Sequence, residues 1–270
     1  MRYMLLVKST KDYEAGVWPN EKMQAELNKW TDELVKVGAR LEGGRLQPSS
    51  QGARVHYAKG KFTVTDGPFA ETKELIAGFC MIEAKSREEA IAWAKRIPFQ
   101  DGEVEVRPLF ELTDFPVDPA EQPDGWRDKE EQFRAAPPPR RPGTIRYMGI
   151  LKADKNTEAG VLPDGEFLAA MGAFMEEGVK AGVFLSGEGL QPSAKGARIR
   201  YSGKNRVVSD GPFTETKELI AGYAILQFAS KAEAIEWTKR FVEVDAPGRL
   251  GAECTCEIRP FVEFDDCARS

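Results

Sequence analysis

Residues 65–84 read TDGPFAETKELIAGFCMIEA, and residues 209–228 repeat them as SDGPFTETKELIAGYAILQF. The offset of 144 holds from Arg2-Tyr3-Met4 against Arg146-Tyr147-Met148 through Leu46-Gln47-Pro48 against Leu190-Gln191-Pro192. It continues to Lys95-Arg96 against Lys239-Arg240. Beyond that point the second copy gains eight residues in the stretch VEVDAPGRLGAECTC, and Arg107-Pro108 meets Arg259-Pro260 at an offset of 152. Solenoid repeats run to roughly 20–50 residues, so this is a duplicated whole domain rather than an array.

A chain of 270 residues accommodates two such domains, at about 100–150 residues each. The copies are expected at 1–113 and 144–265, joined by a linker over 114–143. That stretch holds seven of the 17 prolines and no periodic apolar pattern. Its PPP run favours an extended, semi-rigid spacer, and DGWRDKEEQFR predicts a short helix.

Each copy carries its elements in one order. A strand (Tyr3 to Lys8; Tyr147 to Lys152) precedes a helix whose apolar face reads Met23, Leu27, Trp30, Leu34, Val37, repeated as Phe167, Met171, Phe174, Gly178, Ala181. Asn20 and Asp164 are predicted N-caps. The hairpin ARVHY-AKGK-FTVT follows, then a strand from Leu75, a helix opened by Ser86-x-x-Glu89 or Ser230-x-x-Glu233, and a last strand EVEVRPLFE. The order β-α-β-β-(β)-α-β is that of a ferredoxin-like unit, with helices on one face of an antiparallel sheet. LIAGFCMI, residues 75–82, is apolar on both faces, whereas a half-solvated strand alternates. The other copy, packed sheet to sheet about a pseudo-twofold axis, is the expected cover. Gly78 and Gly222 fit places where another backbone or a ligand comes close.

Composition excludes several classes. A net charge of −5 leaves no basic footprint for nucleic acid. The opening MRYMLLVKST is too short to span a bilayer and lacks a signal-peptide cleavage site, so a cytoplasmic protein with no membrane partner is expected. Cys80, Cys254, Cys256 and Cys267 lack the spacing of a disulfide framework or a zinc site, and no metal or other cofactor is expected. No phosphate loop or Ser-His-Asp group is present.

The DGPF-x-E-T-K-E stretch, the R-Y-M-x-x-x-K opening and the L-x-P step before the hairpin resemble the YCII-related, or DGPF, family, along nearly the full length of both copies. The resemblance implies an α+β fold in which two ferredoxin-like units form an intramolecular dimeric α+β barrel, a pseudo-dimer related in fold to muconolactone isomerase. The family is largely uncharacterised and its members are often encoded beside extracytoplasmic-function sigma factors. Founding members are thought to use a histidine–aspartate pair. Here the single histidine is His56, and Arg200 stands at its place in the second copy. A guanidinium does not replace a general base. His56 shares a strand face with Arg54 and is expected to be exposed rather than catalytic.

The repeated peptide has three readings. Asp66-Gly67-Pro68 ends a strand, where the turn chemistry of these residues accounts for DGP, with Phe69 and Phe213 as plugs for the core. Glu71, Thr72, Lys73 and Glu74, mirrored by Glu215, Thr216, Lys217 and Glu218, are not required by a turn and suggest pairing between the copies or binding. In an enzymatic reading Asp66 and Asp210 act as acid or base. Lys8, Arg54, Glu71 and Lys73, with Lys152, Arg198, Glu215 and Lys217, then bind a small polar or anionic metabolite. A carboxylate beside a cation moves a proton next to a carbonyl, the logic of small hydrolases and isomerases. The competing reading is a non-catalytic accessory or sensor protein linked to sigma-factor-dependent regulation. Further association of the pseudo-dimer into a homo-oligomer stays open. The eight extra residues of the second copy are expected to reshape one pocket rim.

Overall fold

The computed structural model describes residues 1–115, 138–215 and 218–263. The helix expected over DGWRDKEEQFR, Lys217 and Cys267 lie outside them.

In the first copy, β1 (Arg2–Lys8) leads to a single helical turn, α1 (Lys11–Glu14), and to the long helix α2 (Glu21–Lys36). Next come β2 (Arg40–Arg45), the hairpin β3 (Ala53–Ala58) and β4 (Lys61–Asp66), β5 (Ile76–Glu83), α3 (Arg87–Lys95) and β6 (Asp101–Pro108). The second copy repeats these as β7 (Ile145–Lys152), α4 (Lys155–Glu158), α5 (Gly165–Lys180), β8 (Phe184–Gly189), β9 (Ala197–Ser202) and β10 (Asn205–Asp210). It ends with β11 (Ile220–Phe228), α6 (Lys231–Asp245) and β12 (Glu253–Pro260).

Local chemistry starts and stops the long helices as expected. Asn20 Oδ1 accepts the Met23 N–H at 2.9 Å and Asp164 Oδ1 the Phe167 N–H at 2.8 Å, satisfying donors that have no partner within the helix. Trp30 and Leu34 are buried. Val37, assigned by its spacing to the same face, is 62% exposed, because α2 ends at Lys36 and Gly38 turns the chain at φ +71°.

The strands form two six-stranded antiparallel sheets, in the orders β10-β9-β6-β1-β5-β2 and β4-β3-β12-β7-β11-β8. Each sheet takes four strands from one copy and a hairpin from the other. β9 pairs with β6 from Val106↔Ala197 to Asp101↔Ser202, and β3 pairs with β12 from Ile258↔Ala53 to Glu253↔Ala58. A hairpin read within its own copy's unit is therefore corrected by exchange. The reason lies in what its apolar face covers. Ile199 and Tyr201 join the helix-covered core of the first copy, and Val55 packs with Val242, Ala246, Cys254 and Cys256 of the second.

β5 shows why its sequence is apolar on both sides. Cys80 and Ile82 sit in the cluster with α2 and α3, whereas Ile76, Phe79 and Met81 belong to a cluster that includes Met148, Ile150, Tyr223 and Phe261 of the other sheet. The Phe79 ring lies 5.9 Å from Tyr223 and 6.1 Å from Phe261. Isolated bridges Leu46↔Phe261 and Leu109↔Leu190 also join the two sheets. Gly78 marks a close backbone approach: a Cβ there would stand 2.6 Å from the Gly44 carbonyl oxygen of β2.

Candidate functional site

The repeated peptide first serves to hold an arginine. A Cβ at Gly67 would lie 1.9 Å from the Ser49 carbonyl oxygen, and one at Gly211 would lie 1.9 Å from that of Ser193, so only glycine fits. This approach lets Ser49 Oγ accept the Phe69 N–H at 3.1 Å, and Ser193 Oγ that of Phe213 at 3.1 Å. The two rings so placed stack under guanidinium groups, Arg54 over Phe69 and Arg198 over Phe213, both at 4.1 Å. The last glutamate of each motif then grips the same arginine: Glu74 to Arg54 at 3.1 Å, Glu218 to Arg198 at 3.0 Å.

Hairpin exchange carries each arginine to the other copy. Arg198 Nε donates to Glu105 at 2.9 Å, and Arg54 Nε donates to Glu257 at 2.8 Å. Glu105 also pairs with Arg107 at 2.9 Å, whose Nε donates to the Gln191 carbonyl at 3.0 Å. In the mirror cluster Glu257 pairs with Arg259 at 3.0 Å, whose Nε donates to the Gln47 carbonyl at 3.0 Å. Lys8 and Lys152 complete the clusters, donating to the carbonyls of Glu218 at 3.2 Å and Glu74 at 3.0 Å. The candidate residues Lys8 and Arg54 thus group across copies: Lys8 with Arg198, Lys152 with Arg54.

The two clusters differ in electrostatic balance. Burial alone would push Glu105 up, but Lys8, Arg107 and Arg198 outweigh it and hold the carboxyl down at about 2. Burial pulls Lys152 down to about 8; Arg54 and Lys8 repel its charge, and Glu257 and Glu74 offset only part of this. Lys152 also borders a polar cavity of about 270 Å³ with His56, Asp154, Lys155, Arg249 and Glu253. His56 is half-buried there rather than exposed, its Nδ1 2.8 Å from Thr255 Oγ1. Arg249 belongs to the stretch in which the second copy gains its extra residues, so the insertion does reach a cavity rim.

Other candidates lie elsewhere. Asp66 and Asp210 have side chains 72% and 73% exposed and pair with Lys231 at 2.7 Å and with Arg87. Glu71, Lys73 and Glu215 are exposed. The cysteines Cys80, Cys254 and Cys256 are free and buried, and burial raises all three thiols, Cys80 to about 11. Sequence reading passed over Glu105, Arg107, Glu257 and Arg259, buried charges at the heart of both clusters. Their signal was the repeated Glu-x-Arg-Pro, which alternates like a half-solvated strand.

The chain matches the YCII-related domain over residues 1–113 and again over 145–262. It is 34% identical over 93 residues to a protein of Rhizobium meliloti (strain 1021) described as uncharacterised, an alignment covering 33% of this chain and 75% of that protein. With the repeated motif, the mirrored arginine clusters and the double match, the chain belongs to the YCII-related family, carrying two tandem copies of its domain.

Proposed function

We propose that the protein is an intramolecular pseudo-dimer that binds a small polar anion in the cavity beside Lys152. Within each sheet the four strands of one copy run β6-β1-β5-β2 or β12-β7-β11-β8, the order of a ferredoxin-like unit. The bridges at Leu46–Phe261 and Leu109–Leu190 support closure of these eight strands into a barrel. The observation that carries the binding reading is the cavity wall itself. Lys152 and Lys155 line the cavity with Asp154, Glu253 and His56, and Arg249, paired with Asp245, stands at its edge. An anion there adds to the part compensation that Glu257 and Glu74 give Lys152 against burial and the neighbouring cations.

In an enzymatic version, a hydrolase or isomerase, Lys152 exchanges the proton with the bound substrate, since its amine titrates near neutrality, at about 8. Asp66 and Asp210 face solvent beside Lys231 and Arg87, away from this wall. A thermal-shift screen with phosphate, succinate and citrate tests the reading. Saturation at 100 times Kd adds about 2.7 kcal/mol of native-state stability. The expected result is stabilisation of the wild type and none of the folded Lys152→Gln variant; equal stabilisation of both refutes the site.

A further inference from the structure

Beneath α5 the second copy leaves a cavity of about 290 Å³, walled by apolar residues including Phe167, Met171 and Phe174. Gly149 and Gly178 also line it, and at the matching places the first copy has Leu5 and Leu34, both fully buried. At Gly149 this leaves open space, a Cβ meeting nothing nearer than 3.7 Å, whereas at Gly178 Phe184 and Trp237 stand 3.0 and 3.1 Å from where a Cβ would be. The added stretch builds the far wall. α6 runs to Asp245, six residues past Lys239, the counterpart of Lys95 where α3 stops. Gly248 then presses on Phe167, so closely that a Cβ there would stand 2.6 Å from its ring.

Among the described residues of this wall, Arg249 contributes a guanidinium donor that is not spent. Its side chain is 8% exposed, and Nε and Nη2 donate to the two oxygens of Asp245 at 2.6 and 3.1 Å, while Nη1 is buried with no hydrogen-bond partner. A buried donor left unpaired is costly, and an acceptor brought by a ligand relieves that cost. Asp245 already balances the guanidinium charge, and Glu188, the other charged residue of the wall, pairs with Arg2 at 2.6 Å. The wall is thus apolar and charge-balanced, with Arg249 Nη1 short of an acceptor.

We propose that this cavity binds a neutral, mainly apolar compound of about two-ring size whose single carbonyl oxygen accepts from Arg249 Nη1. Size follows from volume, since an apolar cavity of about 150 Å³ takes one benzene ring. The site stands apart from the polar cavity beside Lys152, with which it has only Arg249 in common.

Fluorescence titration of the full chain with 2-acetylnaphthalene, 2-ethylnaphthalene and 2-naphthoate tests it. The ketone is expected to bind at least about fivefold more tightly than the hydrocarbon and about tenfold more tightly than the acid, from the worth of one hydrogen bond to a charged donor and the cost of an unbalanced buried charge. Gly149→Leu should abolish ketone binding while melting at or above the wild-type temperature, and the smaller Gly149→Ala should weaken it. The double variant Asp245→Asn, Arg249→Met, which removes the pair together, should bring the ketone to the affinity of the hydrocarbon. The proposal is overturned if none of the three probes binds, if the acid binds as tightly as the ketone, or if the folded double variant keeps the preference.

Discussion

The two copies keep one register yet treat the space under their long helix in opposite ways. In the first, Leu5 and Leu34 fill it and are fully buried. In the second, Gly149 leaves it open, and Arg249 and Asp245 from the far end of α6 onward form part of its wall. The clusters at the ends of β1 and β7 repeat this pattern more quietly. Both are built from the same residues, but Lys152 borders a cavity and Lys8 lies 3.5 Å from Glu105, buried. The exchanged hairpins make each sheet depend on both copies, while the space under the long helix is filled in one copy and open in the other.

That contrast yields a graded set of expectations. Arg107→Met and Arg259→Met strip one partner from a fully buried ion pair in each copy. Each should cost about 3–5 kcal/mol in urea unfolding. A cost confined to one of them would break the structural equivalence of the clusters. Leu5→Ala opens a cavity in the packed copy and should cost about 2–5 kcal/mol. Gly149→Ala, whose new Cβ has no neighbour nearer than 3.7 Å, should not destabilise; a loss like that of Leu5→Ala would mean the second copy is not hollow. Gly67→Ala and Gly211→Ala drive a methyl into a carbonyl and should each cost about 1–3 kcal/mol or more in thermal unfolding. Asp66→Asn and Asp210→Asn, exposed ion-pair partners, should leave stability within about 0.5 kcal/mol.

Much of the local structure was legible. Asn20 and Asp164 announce the helices, the doubly apolar LIAGFCMI announces a covered sheet, and the offset of 144 announces the duplication. The exchange was not legible, because β3 and β9 alternate in the same way whichever copy they pair with; the partner is chosen by long-range packing of Val55 and Tyr201. For the same reason Arg54 read as a neighbour of Lys8, when it stands with Lys152. The buried pairs Glu105–Arg107 and Glu257–Arg259 escaped notice because polar positions alternating with valine or isoleucine resemble a solvated face. Repetition of Glu-x-Arg-Pro carried the information that periodicity could not.

The pH dependence of anion binding tests the account most directly. Lys152 has a folded-state pKa lowered from 10.5 to about 8, so its charge costs stability below about 8 and the cost disappears as pH rises toward 10.5. An anion binds the charged form. Calorimetric titration with succinate from pH 6.5 to 9.5 should therefore give an affinity that is level at first and falls as pH rises through about 8. An affinity unchanged across that range, or one that Lys152→Gln retains, would contradict the placement of the site at Lys152.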